Sequence, residues 1–342
     1  MPQQRLRLAF PLAAGALLLV FIYFCSTGAW KNLLGGNSAH ASTGAASAAA
    51  GAANTPGSSA GDGNAAAAGA TASAGSTAPT LQQFADEDIR NLEALPPQQQ
   101  AEQLMMAAVN HYDGAPGMIM DRAEGWRGKL RRTQNWDTVD QAARYSSDLR
   151  VRNADIELAL VMNNIDRNGD TAERLLADAT TNVGNRGFDF YMLGMLANRG
   201  IETDRIHTAL KDWAHDQDEG TRYWAIEGLA FLGSDNTIQD FIEVLRNDPS
   251  LNVRQRCGAS LAKSGMLTRE QRMQAVPGLL EIAADKSQNA TAQGWAFQAL
   301  REITAEQIGN DAAAWQTWYG AHGSERTEQF HRTDPNWVLG NS

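Results

Sequence analysis

The sequence contains very little cysteine. Only two of its 342 residues are cysteines: Cys25 lies in a long apolar run, whereas Cys257 lies in a stretch with helical periodicity. These unlike surroundings do not suit a disulfide bond, so a disulfide-stabilised fold is excluded. Cys257 occupies a position where equivalent segments of the chain carry small residues, and it is therefore predicted to be a small buried side chain.

Positive charge is also in short supply. The chain has 29 Lys and Arg residues against 39 Asp and Glu residues, which gives a net charge of −10. Nucleic-acid-binding proteins generally present a basic surface to the phosphates. The net negative charge therefore argues against a nucleic-acid partner.

Motifs for catalysis, cofactors and metals are missing as well. The chain has no G-x-S-x-G, no P-loop and no dinucleotide-binding glycine fingerprint, and its six histidines show no metal-ligand spacing. Residues 166–173 begin like a calcium loop. An EF-hand, however, needs Gly at its sixth position and Glu at its twelfth, where this chain has Thr171 and Ala177. We therefore expect no cofactor, no metal, no small-molecule substrate and no enzymatic activity.

Residues 8–30 carry no charge and are long enough to cross a bilayer as a helix. Arg5 and Arg7 precede this run and only Lys31 follows it closely. The positive-inside rule therefore places residues 1–7 in the cytoplasm and the rest of the chain outside. The sequence predicts a single-pass signal-anchor in the inner (cell) membrane, with the C-terminal domain in the periplasm or other extracytoplasmic space.

A cleaved signal peptide is the alternative to this anchor. Ala39 and Ala41 form an A-x-A pattern, but it lies well beyond the apolar run, which favours the uncleaved anchor. Residues 31–80 are almost wholly Gly, Ala, Ser, Thr and Asn. Such a segment cannot bury enough apolar surface to offset the entropy of ordering, so it is predicted to be a disordered linker.

A basic cluster stands out in residues 81–139, which are predicted to form an N-terminal helical cap. Its tryptophans could cover the end of a helical core while its cations face water. Alternatively, the cluster could bind an acidic partner or anionic headgroups. The candidate partner-binding residues are Arg122, Trp126, Arg127, Lys129, Arg131 and Arg132.

The rest of the chain repeats at intervals of roughly 35 residues, a period typical of stacked helical hairpins. Three residues after each repeat point comes a small or short side chain, and seven residues after it usually comes leucine, as at Leu193 and Leu229. These offsets share one helical face, with the small residue expected where a neighbouring helix comes closest. The repeat points form a ladder of Arg152, Arg186, Arg222, Arg254 and Gln293.

Two segments in this ladder resemble HEAT repeats. The runs from Tyr145 to Leu160 and from Asp248 to Gly265 each have an acidic residue, a β-branched residue and then arginine at the start of a helix. The resemblance covers residues 140–305. It implies an all-α fold, an α-solenoid of about five helical hairpins, and an interaction scaffold without chemistry of its own. Asp155 and Asp189 replace a small apolar residue of the family pattern, and each could pair with a ladder arginine.

The C-terminal region is predicted to close the repeats. Residues 306–320 contain Trp315, Trp318 and Tyr319 on one helical face, which is typical of a capping helix. Residues 321–342 show no helical period and are predicted to be a polar tail.

The function predicted from these features is a membrane-tethered extracytoplasmic scaffold that binds an unknown envelope protein. Lipase-specific foldases provide an alternative, because they share the layout of anchor, Ala-rich linker and helical domain. Residues 186–190 are similar to the foldase signature Arg-x-x-Phe-Asp-Tyr, although one residue is missing and Phe190 replaces tyrosine. That resemblance implies a steric chaperone.

Overall fold

The computed structural model describes residues 83–334. The predicted anchor, the linker and the last residues of the predicted tail lie outside this range. Helices and loops make up the described part of the chain, without a β-strand, which confirms the predicted all-α class. No helix within residues 83–334 is both long enough and apolar enough to cross a membrane.

The N-terminal region consists of short helices, and Pro97 begins the second of them, where its missing N–H costs nothing. The 3₁₀ turn Glu124–Trp126 joins the third helix to the fourth. The helices are α1 (Asp86–Glu93), α2 (Pro97–Val109), α3 (Ala115–Arg122) and α4 (Gln134–Arg144).

The repeat region starts where predicted, with a helix beginning at or up to three residues before each ladder position. Side chains of Asp218, Ser250 and Asn289 cap three of these helices by accepting backbone N–H bonds. The helices are α5 (Leu149–Met162), α6 (Gly169–Thr181), α7 (Arg186–Asn198), α8 (Thr203–Trp213), α9 (Glu219–Leu232), α10 (Asn236–Asn247), α11 (Leu251–Ala259), α12 (Arg269–Met273), α13 (Val276–Ala284), α14 (Ala290–Thr304) and α15 (Ala312–Thr333).

Four ladder helices, α7, α9, α11 and α14, each pack against the next, and helices α6, α8, α10 and α13 pack behind them. Ion pairs join successive members of the rear set, for example Lys211 with Asp240 at 2.8 Å and Arg246 with Glu281 at 2.6 Å. The predicted leucines Leu193, Leu229, Leu261 and Leu300 are all fully buried. This arrangement is consistent with an α-solenoid.

A close backbone contact between α7 and α9 is found away from the predicted small residue, which stands three positions after the ladder arginine. It lies at Gly194 and Gly228, further along each helix. A Cβ atom on Gly194 would lie 2.8 Å from the Gly228 carbonyl carbon, and one on Gly228 would lie 2.6 Å from the Phe190 carbonyl oxygen. Only glycine permits this backbone-to-backbone contact.

Helix α5 differs from the other ladder helices because its buried residues are divided between two cores. Ile156 and Leu160 belong to the core of the repeats, whereas Val151 and Leu158 belong to a second core formed with the N-terminal helices. It packs against α2, α3 and α4 as well as α7. It therefore joins the predicted cap to the repeats.

The last helix is longer than predicted, running from Ala312 to Thr333 rather than ending at Gly320. Trp315, Gly323 and Phe330 are its buried residues and recur at seven or eight positions, so one narrow side packs against α12 and α13. The extension was not predicted because only two buried residues beyond Gly320, Gly323 and Phe330, mark it in the sequence.

Candidate interaction surface

Four of the five ladder residues, all except Arg152, make one contact in common: the side chain donates a hydrogen bond back to a carbonyl in the last turn of the preceding helix or just beyond it. Gln293 keeps this contact although it replaces arginine. The bonds are Arg186 Nε to the Ala179 oxygen (2.8 Å), Arg222 Nη1 to the Asp216 oxygen (2.9 Å), Arg254 Nε to the Leu245 oxygen (2.6 Å) and Gln293 Nε2 to the Asp285 oxygen (2.7 Å).

The same arginines also reach forward into the following repeat. Arg222 binds both oxygens of Asp248, with Nε to Oδ2 at 2.7 Å and Nη2 to Oδ1 at 3.1 Å. Arg254 bonds to Gln288, and Arg186 donates to the Thr221 hydroxyl at 3.2 Å. These guanidinium groups therefore join successive repeats and are not free to bind a partner.

Arg152 departs from this pattern. Its Nη1 donates to the carbonyl oxygens of Lys263 (2.6 Å) and Gly265, at the end of the π-helical segment Ser260–Ser264 that follows α11. Arg272 donates to the Gly265 oxygen as well (3.1 Å) and to the Leu267 oxygen (3.0 Å). Helix ends leave carbonyls without internal partners, and cations are favoured there. Arg152 is thus a tertiary clamp rather than the first ladder residue.

Burial lowers the pKa of both clamp arginines. The pKa of Arg152 falls to about 10 and that of Arg272 to about 9, where the charge of Arg152 adds to the effect of burial. Both groups still carry their charge at neutral pH.

The predicted basic patch is largely neutralised by its own surroundings. Trp126 is buried, as the capping interpretation expects. The Arg131 side chain is exposed, and its backbone N–H donates to Gln98 at 2.8 Å. The four other cations pair as follows: Arg122 with Glu93 (3.6 Å), Arg127 with Glu124 (2.8 Å), Arg132 with Asp137 (2.6 Å), and Lys129 with the Gly125 carbonyl oxygen (2.7 Å).

Neither unusual aspartate pairs with a ladder arginine. Asp155 lies 3.9 Å from Arg144, which itself binds Asp140 at 2.6 Å. Burial, and then the charge of Asp140, raises the pKa of Asp155 well above its usual range. The ladder guanidinium groups bind other residues of the repeats. The cation that approaches Asp155 is therefore Arg144, from α4.

Asp189 sits in a second carboxyl pair, between α6 and α7. Asn185 donates to Asp189 at 3.1 Å and to Asp178 at 2.7 Å, so one amide bridges the two carboxyl groups. Burial, followed by the charge of Asp178, raises the pKa of Asp189 to about 7. The two aspartates that break the family pattern are therefore both held in buried polar clusters.

The N-terminal helices reach the ladder helix α7 through Arg144 of α4. The Arg144 guanidinium lies 4.7 Å from the ring centre of Tyr191 on α7. Glu157 of α5 binds both Arg167 (3.1 Å) and Arg199. These polar contacts and the clamp at Arg152 therefore join α4 and α5 to the repeats.

An exposed row of aromatic side chains remains near the starts of the ladder helices. Tyr145 is 62% exposed and Phe188 is 39% exposed, while the other members are partly buried. The row was not predicted, although the sequence carries a signal: three members stand two residues after a ladder position. We call this row the aromatic strip, and it consists of Tyr145, Phe188, Tyr223, Trp224 and Trp295.

The cysteine of the repeats is shielded from solvent. Cys257 is fully buried as predicted, and burial raises the pKa of its thiol well above the usual value, so the group is not a thiolate. Residues 83–334 contain no cluster of three or more His, Cys, Asp or Glu side chains placed to hold a metal ion.

Comparison with protein families finds a match to the family described as HEAT repeats over residues 207–301. The match runs from α8 to α14 and so includes the ladder helices α9, α11 and α14. Comparisons with curated proteins and with solved structures give no match. The all-helical fold and the matched segment together support a HEAT-repeat protein, whose repeats suggest a scaffold for protein interaction.

Proposed function

We propose that this protein is a membrane-tethered, extracytoplasmic scaffold that binds another envelope protein and has no catalytic activity. The observation that carries the proposal is the HEAT match over the regular part of the ladder. HEAT hairpins stack into long surfaces used for binding other chains.

The contacts that the ladder arginines already make support a binding role rather than a catalytic one. Arg222 and Arg254 are taken up by contacts between repeats, while apolar side chains such as Phe188 remain at the surface. An exposed apolar patch on an otherwise polar surface marks a site for protein contact.

The anchoring part of the proposal rests on residues 8–30 and on Arg5 and Arg7 before them. Cell fractionation, followed by protease treatment of spheroplasts, tests it. We expect the chain in the inner-membrane fraction and a protected core, close to residues 83–334, released by external protease. A mature protein beginning at Ser42 in the soluble periplasmic fraction would replace the anchor with a cleaved signal peptide.

The binding part of the proposal is tested by crosslinking in cells, followed by purification of the full chain from solubilised membranes. A reproducible crosslinked envelope protein is the expected result. The double variant Arg127→Glu and Arg131→Glu shows whether the basic patch contributes. Equal recovery would leave these residues with a capping role, whereas loss of the partner with Arg131→Glu alone, which should keep the wild-type melting temperature, would make the patch part of the contact.

The foldase alternative predicts another outcome of the same experiments. Phe190, in the segment similar to the foldase signature, is fully buried and stacks on Trp213 with ring centres 4.6 Å apart. The segment is therefore used in packing within the repeats. If no partner is crosslinked and a purified lipase refolds only in the presence of this protein, the scaffold proposal is refuted in favour of a steric chaperone.

A further inference from the structure

We propose that the contact between the N-terminal helices and the repeats is controlled by one proton that Asp140 and Asp155 share, and that loss of this proton loosens the contact. Asp140 and Asp155 are called the carboxyl pair below, and the contact of α4 and α5 with α7 is called the junction. The inference goes beyond the scaffold proposal, and its test needs neither the partner nor the anchor.

The carboxyl pair can carry more negative charge than its surroundings neutralise. Asp155 is fully buried and Asp140 is buried as well. Both approach the same cation: Arg144 Nη2 binds Asp140 Oδ2 at 2.6 Å, and Arg144 Nε lies 3.9 Å from Asp155 Oδ2. One guanidinium cannot balance two ionised carboxylates, and a buried charge without a partner is costly.

Asp155 also lacks the hydrogen bonds that an ionised carboxylate needs. Among the described residues, no donor is bonded to either of its oxygens. An ionised carboxylate only accepts hydrogen bonds, whereas a protonated one can also donate. A proton held between Asp140 and Asp155 therefore supplies a hydrogen bond and leaves one negative charge, which Arg144 balances. The raised pKa of Asp155 agrees with this arrangement.

The other groups packed around α5 do not relieve the carboxyl pair. On α5 itself, Arg152 is bonded to carbonyl oxygens at the end of the π-helical segment, and Glu157 is bound by two arginines of the repeats. Helices α2 and α3 meet α5 through apolar residues such as Leu104 and Ile119. The charged groups that act on Asp155 are therefore those of α4.

Arg144 links the carboxyl pair to the repeats. Its guanidinium lies 4.7 Å from the ring centre of Tyr191 on α7, and Tyr191 packs edge to face on Phe231 of α9 with ring centres 4.7 Å apart. The Tyr191 hydroxyl is buried and has no hydrogen-bond partner among the described residues, and Glu227 of α9 adds negative charge on this side. A second negative charge on the carboxyl pair would thus appear beside α7 without a cation to receive it.

The junction is a place where the domain can open while the cores on either side stay folded. Helix α5 packs closely on α2, α3 and α4 but touches α7 at few places, whereas α7 and α9 pack tightly together. Ile156 and Leu160 supply the apolar part of the junction. Its polar part includes the bond from Arg199 Nη2 to the Asn153 carbonyl oxygen, at 2.8 Å.

The direction of the effect follows from the raised pKa. An exposed carboxyl group loses its proton near its usual pKa of 3.8, whereas Asp155 in the closed junction holds the proton to higher pH. Between these two values opening releases one proton, so the opening constant rises about tenfold per pH unit. The junction is therefore tightest in acid and loosens as pH rises.

Hydrogen–deuterium exchange of the full chain in detergent, followed by mass spectrometry, measures this opening. Exchange is compared between about pH 4 and pH 7 after correction for the intrinsic rate of each amide. Peptides from α4 and α5 should then exchange about tenfold faster for each pH unit over part of this range. Peptides from α14, which is remote from the junction in the ladder, should show no such rise.

Three variants test the carboxyl pair. Asp155→Asn keeps the shape of the side chain, and its amide can donate to Asp140 as the shared proton does, so it should abolish the rise in α4 and α5. Asp140→Asn leaves Asp155 alone with Arg144 and should reduce the rise. The matched control is Asp189→Asn, which removes the other buried carboxyl pair, between α6 and α7, and should leave the rise in α4 and α5 unchanged.

Infrared spectroscopy detects the proton directly. The Asp189→Asn protein should show the carbonyl stretch of a protonated carboxyl group near neutral pH, and adding Asp155→Asn should remove it. The first of these spectra does not require the Asp155 variant to fold, so the inference stays testable if that variant is unstable.

Four results would overturn the inference: no rise in α4 and α5, the same rise in Asp155→Asn, an equal rise in α14, or no signal from a protonated carboxyl group in the Asp189→Asn protein. An equal rise in α14 would mean that the whole domain unfolds rather than that the junction opens. Failure to crosslink an envelope partner counts against the scaffold proposal alone, because none of these measurements involves a partner.

Discussion

Gly194→Ala should destabilise the protein although alanine is the better helix former. The added methyl group would be driven into the backbone of Gly228, at 2.8 Å from its carbonyl carbon and closer still to its oxygen. Backbone cannot rotate away as a side chain can, so α7 and α9 must separate. Overpacking of this kind costs about 3 kcal/mol, and the helix preference of alanine returns about 1 kcal/mol, which leaves a net loss of about 2 kcal/mol.

Thermal unfolding followed by circular dichroism at 222 nm measures this loss. For a chain of this size a loss of about 2 kcal/mol lowers the melting temperature by roughly 4–8 °C. Gly294→Ala is the matched control, because Gly294 lies within the ladder helix α14 and a Cβ atom added there would meet no neighbouring side chain or helix within 4 Å. It should gain up to about 1 kcal/mol. If Gly194→Ala melts at or above the wild-type temperature, α7 and α9 do not meet at this glycine pair.

Three other substitutions test the polar contacts. Arg222→Met should cost about 3 kcal/mol in urea unfolding, because it leaves the buried Asp248 carboxylate without its cation, and a cost below about 1 kcal/mol would contradict the pairing. The pKa of Asp189 is about 7 in the folded state against 3.8 for a free carboxyl group, so the folded state binds the proton more strongly and stability falls as pH rises from about 4 to 7. Asp189→Asn should flatten that fall, and an unchanged pH profile of the melting temperature would refute the assignment. Arg127→Glu should lower the melting temperature because Arg127 binds Glu124 and the Ile165 carbonyl oxygen (3.3 Å), whereas Arg131→Glu should leave it unchanged, and equal melting temperatures of the two variants would argue against this distinction.

The features that the sequence predicted well are those that arise within single helices or between neighbouring segments. The helix starts near Arg186, Arg222 and Arg254 follow from capping residues and from helical periodicity, both of which act within a few residues. The hydrogen bond from the ladder side chain to the preceding helix end, made by every ladder residue except Arg152, is equally local. That is why Gln293 could take the place of arginine in the ladder without loss of this contact.

Predictions about binding residues fared differently, because a charged residue in sequence does not reveal its partner in space. The basic cluster looked available for an acidic partner, yet Glu93, Glu124 and Asp137 occupy three of its cations. The aromatic strip escaped notice because its members are spread over several repeats, with none in α11, and only the packing of α9 against α7 brings Trp224 to Gly187.

By itself the sequence determined the all-helical class, the repeat period and the burial of the ladder leucines. Tertiary structure alone decided where helices α7 and α9 touch, which cation approaches Asp155, and what Arg152 binds. Its carbonyl partner Lys263 lies 111 residues along the chain. Periodicity and capping are properties of single helices and can therefore be predicted from sequence. Contacts such as that of Arg152 depend on which surfaces meet after α5 is enclosed between two cores, and no local pattern encodes that choice.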